Sequence, residues 1–465
     1  VIISGLHMLI SLLSLNLGRL DSKARFTLAS FYLRYEFTDT GPITIDELAG
    51  CLGVPTRECA NALNLLVKES ILIATTALAQ RAGRLKKSFR IHDDVVNRLG
   101  IASFISRPLD LAPHFGAVEH LIKGPYIHAT RPDVEIYAMP ANTVKAEQTR
   151  AAVPNRTSLL SRSNRLLLAV LSAHADRFGV VNSLGSVELC RLTGLEQTSL
   201  KQRIKKLIGM GFIRRHVPGV ASPIFAEKLK SSYVLNLNHR QITSGTDRIS
   251  FVVHECVGEG ADDVRYLGDV WFDLELWRNP TTKHKYSLSE LSTPASVIRL
   301  FRYAPKHAIE QLEFYLSGRV SDLLAQHWEQ LHVAKSGVAL GIRDDISAFF
   351  RKPMRDVKDA SLLDEAEVID FLWVMTIQFA RVCKVRFSRV DGLVWSSLNF
   401  RLLPSDLRLG YASLGMLIDG GAGGGKLLRE VGEHVETTDV TTEALCPVEL
   451  REKAGLLTPA RSKTV

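Results

Sequence analysis

The feature that most constrains this 465-residue chain is that it repeats itself. Asp21 and Ser22 are good N-cap types for a first helix through Ala24, Phe26, Leu28, Phe31, Leu33 and Tyr35, which stops at Thr40-Gly41-Pro42. Thr44 and Glu47 have the spacing of a capping box at the start of a short helix that ends at Gly53. A further helix opens at Thr56 and carries Cys59, Ala62, Leu63, Leu66 and Val67 at helical spacing. The period then becomes that of a strand at Ile71 to Thr75, and a basic loop leads to a second strand at Phe89 to Ile91. The order recurs downstream, with a helix from Ser163 or Asn164 to Phe178, a short helix from Val187 to the turn at Gly194, a helix from Glu196 to Met210 and a strand at Phe212 to Arg215. Superposing Gly53 on Gly194 sets Leu48 on Leu189, Val54 on Leu195, Leu63 on Ile204, Leu66 on Leu207, Val67 on Ile208, Ile71 on Phe212 and Leu72 on Ile213 without a gap. One offset that satisfies the turn glycine, the apolar residue after it and the strand start argues for one fold used twice.

Helix, helix, tight turn, helix and hairpin is an order that resembles the winged helix-turn-helix superfamily as bacterial regulators use it. Two such units in one chain also resemble replication initiators of the plasmid type. The resemblance implies a fold that is mainly α with small β-wings: winged helix-turn-helix 1 over residues 21–98 and winged helix-turn-helix 2 over 163–240. It also implies double-stranded DNA as the partner, with the helix after the turn in the major groove and the wing near the backbone or minor groove.

The residues suited to that role differ between the copies. The helix after Gly194 carries Thr198, Ser199, Lys201, Gln202, Arg203, Lys205 and Lys206, and Arg214 and Arg215 follow on the strand, with Glu196 the only acid nearby. Gln202 and Arg203 suit adenine and guanine edges, Thr198 and Ser199 suit phosphate or base contacts, and the lysines suit phosphates. In the first copy the corresponding helix offers Arg57, Asn61 and Asn64, while the charge sits in the wing at Arg81, Arg84, Lys86 and Lys87. Base reading by the second helix and backbone contact by the first wing are therefore expected to form one composite surface.

The rest of the chain is read around these units. Residues 1–20 form an apolar N-terminal helix packed on the protein; no Lys or Arg precedes its apolar run, and it is too short and interrupted to span a bilayer. Residues 99–162 connect the units, with a helix near Ala117 to Leu121 and an alternating stretch at Val134 to Ala138. Residues 245–415 read as a mainly helical domain that opens with a strand at Ile249 to Val253, and its pattern from Glu365 to Lys384, apolar nearly all round, is expected to be buried. Residues 416–465 read as a Gly-rich linker and flexible tail. Gly420 to Lys426 has the spacing of a phosphate loop, but Leu427 stands where Ser or Thr must hold magnesium and too little chain follows for a nucleotide-hydrolysing sheet.

A net charge of +9 favours an anionic partner. Six cysteines without a CxxC pair read as reduced thiols of a cytoplasmic chain. No zinc-ligand spacing, HExxH or GxSxG is present, and His254-Glu255-Cys256 reads as structural, so neither enzyme chemistry nor a cofactor is expected. The expectation is a sequence-specific DNA-binding protein of the bacterial cytoplasm, associated with the nucleoid and without a membrane partner. Transcription regulation is the first role, DNA replication as an initiator at origin repeats the second, and protein-protein assembly through the winged helices the third. The residue 245–415 domain is expected to make homo-oligomers, receive a signal or bind a protein partner.

Overall fold

The computed structural model describes residues 5–76, 86–105, 114–123, 160–239, 241–242, 249–257, 266–279, 291–332, 337–350, 364–390, 392–404, 413–419, 424–432 and 434–458. Over these the chain is mainly α with several small sheets. It divides into two compact units, Val1–Ile213 with Leu235–Asp247 and Arg214–Val234 with Arg248–Val465.

The first unit contains the helices of both copies of the repeat. Helix α2 (Ser22–Tyr35) is capped by the Asp21 carboxylate, which accepts from the Ala24 amide at 2.8 Å. Helix α3 (Ile45–Leu52) starts with the full Thr44/Glu47 capping box, and α4 (Thr56–Lys68) follows the turn at Gly53. In the second copy α7 (Arg162–Ala173) opens a residue or two earlier than the sequence suggests, because Ser161 caps it; α8 (Ser186–Thr193) and α9 (Gln197–Gly209) follow. With Gly53 laid on Gly194, the ends of α3 and α8 coincide, as do those of α4 and α9, and those of strands β1 (Leu72–Thr76) and β4 (Ile213–Val217). The connecting hydrogen bonds repeat too: Ile71 N–H to Leu66 O at 2.8 Å, and Phe212 N–H to Leu207 O at 3.0 Å.

The strands also correspond. β1 pairs antiparallel with β2 (Lys87–Ile91), from Leu72 opposite Ile91 to Thr76 opposite Lys87, and Ile43, just before α3, pairs with Lys87. In the second copy the Leu235 amide, at the end of β5 (Ser232–Leu235), donates to the Gly179 carbonyl at 2.8 Å, next to β3 (Val180–Val181). In each copy the segment preceding the short helix thus lies beside the last strand.

Both turn glycines take left-handed backbone, φ 63° at Gly53 and 67° at Gly194, where a Cβ is strained. Their surroundings differ. A Cβ at Gly53 would meet nothing within 4 Å, whereas one at Gly194 would lie 2.2 Å from the Leu20 carbonyl oxygen. Gly53→Ala is therefore expected to cost about 1–2 kcal/mol of strain. Gly194→Ala adds a backbone collision, for about 1–3 kcal/mol more. Urea unfolding of the two variants checks this, and equal losses would contradict the packing of Gly194.

Helix α1 (Gly5–Ser14) buries Leu9, Leu12 and Leu13 and packs on α2, α7 and α5 (Asp93–Ile105). Helix α6 (Phe115–Lys123), inside the connecting segment, buries Ala117, Val118, Leu121 and Ile122 and packs on α2 and α7. The stretch Val134 to Ala138 lies outside the described residues. Among the described residues no helix is long and apolar enough to cross a membrane.

The core of the second unit includes a five-stranded sheet of order β10-β9-β6-β8-β7, beside the helices that make up most of residues 245–415. Central β6 (Ser250–Val257) runs antiparallel to β8 (Ser413–Ile418) and parallel to β9 (Gly425–Val431); β7 (Phe400–Leu403) and β10 (His434–Val440) form the edges. The residues read as linker and flexible tail supply β9, β10 and the helix Val448–Lys453. Each strand has one buried apolar anchor, Leu428 in β9 and Val440 in β10, and a strand with one such anchor is hard to distinguish from polar tail. Gly425 is required there by packing, since a Cβ would lie 2.2 Å from the Phe251 ring. Lys426, the lysine of the phosphate-loop spacing, pairs across the hairpin with Asp439 at 2.8 Å.

The helix Glu365–Ser388 buries Val368, Leu372, Met375, Phe379, Cys383 and Phe387 along one stripe. Val374 and Val385 remain 42% and 47% exposed, so it is not buried all round.

Two histidines give this unit a pH dependence. His216 stacks on Tyr233 with ring centroids 4.7 Å apart, and burial pushes its pKa down to about 4. His254, fully buried on β6, is also pushed down to about 4, by burial first and then by Arg386, although Glu430 bonds it at 2.9 Å. Their unfolded values lie near 6.5, so each must remain neutral in the fold. Stability is complete above pH about 6.5, is lost as pH falls toward 4, and levels off below that, by up to about 3 kcal/mol per histidine. Urea midpoints at pH 7, 5 and 4 are expected to fall in that order. The fall should be smaller in His216→Phe, which keeps an aromatic ring against Tyr233 and cannot charge.

Candidate nucleic-acid interface

The rotation of α9 is set by Leu200, Ile204 and Leu207, which are buried at successive turns. Its opposite face therefore presents Thr198, Gln202 and Lys205, flanked by Lys201 and Lys206, and all five are exposed. No acidic residue lies on the helix, and Glu196 sits at its N-cap. Helix α4 is held the same way by Cys59, Ala62, Leu63 and Leu66, leaving Arg57, Asn61, Asn64 and Lys68 exposed. Under the superposition of the turn glycines, Arg57 matches Thr198, Asn61 matches Gln202 and Asn64 matches Lys205.

Four residues named with this surface are placed elsewhere. Arg203 does not point outward: its Nη1 donates to Asn164 Oδ1 at 2.8 Å and Ser161 Oγ at 3.1 Å, and its Nε donates to Ser199 Oγ at 3.2 Å. Burial lowers its pKa, and it ties α9 to the start of α7 with Ser199 as an acceptor. Arg214 is only 2% exposed, with its guanidinium on the Glu443 carboxylate (Nη2 to Oε2 at 2.8 Å) and on the Leu456 carbonyl at 2.9 Å. Arg215 bonds the Pro404 carbonyl at 2.6 Å and the buried Glu313 carboxylate at 3.2 Å. Both belong to the interior of the second unit, where buried carboxylates require them, and they are corrected from contact residues to structural ones.

The first wing is seen only at its end. Arg81 and Arg84 lie outside the described residues. Lys86 is exposed and Lys87 is half-buried in the ladder of β2.

Two cations near α4 were not anticipated. Glu58, the acid on that helix, receives Lys23 at 3.4 Å and Arg162 at 3.0 Å, which mask its charge beside Asn61. A signal for them was present, since each stands in the first turn of its helix, where a positive charge opposes the helix dipole and calls for a reason. A recess lined by Asp21, Lys23, Glu58, Asn61, Ala62 and Leu65 lies beside them.

The two outer faces offer hydrogen-bond donors and amides with few acids, which suits base edges and phosphates. Among the described residues no three or more His, Cys, Asp or Glu side chains gather to hold a metal. No protein-family model matches the chain, and a comparison with the curated proteins finds no match.

Proposed function

We propose that the protein binds double-stranded DNA in a sequence-specific manner through two winged helix-turn-helix repeats. The observation that carries this reading is the repeat itself: two helix-turn-helix segments of equal length, each turning a donor-rich face of its second helix to solvent. The segment beside the last strand in each copy supports a winged form of that motif. Regulation of transcription in the bacterial cytoplasm, at the nucleoid, is the first role.

Initiation of replication is the second, favoured by α4 and α9 of the two repeats lying in one compact unit, since a regulator with one such motif reaches two half-sites by pairing chains. The second unit is proposed to mediate homo-oligomerisation or contact with a protein partner; Phe272 and Tyr303 on it are 61% and 59% exposed. In-vitro selection on random duplex DNA tests the reading. Enrichment of a motif supports it, genomic placement at promoters or at origin repeats separates the two roles, and failure to retain any duplex at low salt leaves protein-protein assembly instead.

A further inference from the structure

We infer that one chain reads a duplex site with an approximate dyad, built of two inverted and unlike half-sites. The inference rests on the DNA-binding reading above and adds the symmetry of the target. Its ground is the way the two repeats meet inside the first unit.

Ser22 Oγ and Ser163 Oγ are 2.8 Å apart and buried. These residues are equivalent when Gly53 is laid on Gly194, and equivalents that meet with reciprocal contacts on either side of them lie on a two-fold axis. Flanking contacts are reciprocal, as the same symmetry demands. Gly194 packs on Leu20 and Asp21 at the start of α2, and Gly53 accepts at its carbonyl from Nη2 of Arg162, the equivalent of Asp21, at 3.4 Å.

A similar device lies nearby in each copy, one residue out of the register set by the turn glycines. Buried Arg25 donates to the carbonyls of Leu20 and Gly18, in the chain leaving α1, and buried Arg165 donates to those of Leu121 and Ile122, at the end of α6. Each arginine thus reaches from the first turn of its own helix to backbone carbonyls of the chain that precedes it. Helices α1 and α6 each pack on both α2 and α7.

The repeats therefore face one another about a two-fold and are not translated copies. Two reading helices so related fit one duplex only when the dyad of the DNA lies along theirs, which sets the half-sites in opposite orientations. A direct repeat needs a translation, with which the reciprocal contacts of Gly194 with Asp21 and of Gly53 with Arg162 are incompatible. The half-sites are unlike because the readers are. Asn61 and Gln202 occupy the same position and both suit adenine, so an adenine recurs in both halves, while Arg57 suits guanine in the α4 half and its counterpart Thr198 does not.

In-vitro selection with the full chain, followed by the mass of the complex on the selected duplex, tests the inference. An imperfect inverted repeat bound by one chain is expected. Asn61→Ala should lower discrimination about tenfold in one half only, and Gln202→Ala should do the same in the other half only. Both side chains are exposed, and unchanged thermal melts of the variants verify that they fold. A direct repeat, two chains each using one helix, or both substitutions relaxing the same half overturns the inference while leaving DNA binding intact. Enrichment of nothing at low salt overturns both readings together.

Discussion

Arg214→Ala is expected to destabilise the second unit by about 3–5 kcal/mol, the range for removing one partner of a buried ion pair. The size follows from what remains. Glu443, 9% exposed, loses both guanidinium contacts and stays in a site that water does not reach freely, and the Leu456 carbonyl loses a donor as well. The loss belongs to the uncompensated charge and not to the worth of the pair. A double replacement, Arg214→Met with Glu443→Leu, is therefore expected to recover most of it. Urea unfolding of the single and double variants decides the matter. A loss under about 1 kcal/mol in the single variant would show the pair to be solvated, and DNA affinity per folded molecule should be unchanged, in contrast to what the basic run Arg214-Arg215 suggests in the sequence alone.

That contrast marks what the sequence makes legible. The helices of the repeat and the outward faces of α4 and α9 are written locally: apolar residues three and four apart set the rotation, and the turn glycine sets the end. The fates of Arg203, Arg214 and Arg215 are not local. Each is decided by an acceptor far along the chain, Asn164, Glu443 or Glu313, and no spacing rule connects them. The hairpin of β9 and β10 was hidden for a related reason. Each strand buries a single apolar side chain, and the hairpin is held through the pairing of β9 with β6, more than a hundred residues earlier. The pairing of the two repeats was equally invisible, since Ser22 and Ser163 are small residues in helix first turns that carry no pattern of their own.

Lys205→Ala with Lys206→Ala is expected to weaken binding of every duplex alike, on the order of 10- to 100-fold near 0.1 M salt, and to reduce the slope of log affinity against log salt by about 2. Both ammonium groups are exposed on a helix without acids, so each is available to displace a counterion from a phosphate. Gln202→Ala supplies the contrast, because loss of a neutral base contact changes preference at one position and leaves the salt slope alone. Arg203 separates the two effects further. Its bonds to Ser161 and Asn164 make it a strut under α9, so Arg203→Ala should lower stability by about 1–2 kcal/mol and weaken all sequences without relaxing any one position. Fluorescence anisotropy over a salt series, on the selected site and on a scrambled duplex, distinguishes these outcomes. A base-specific loss in Arg203→Ala would mean that the guanidinium leaves Asn164 for the groove, and an unaltered slope in the double lysine variant would mean that the phosphates lie on another face.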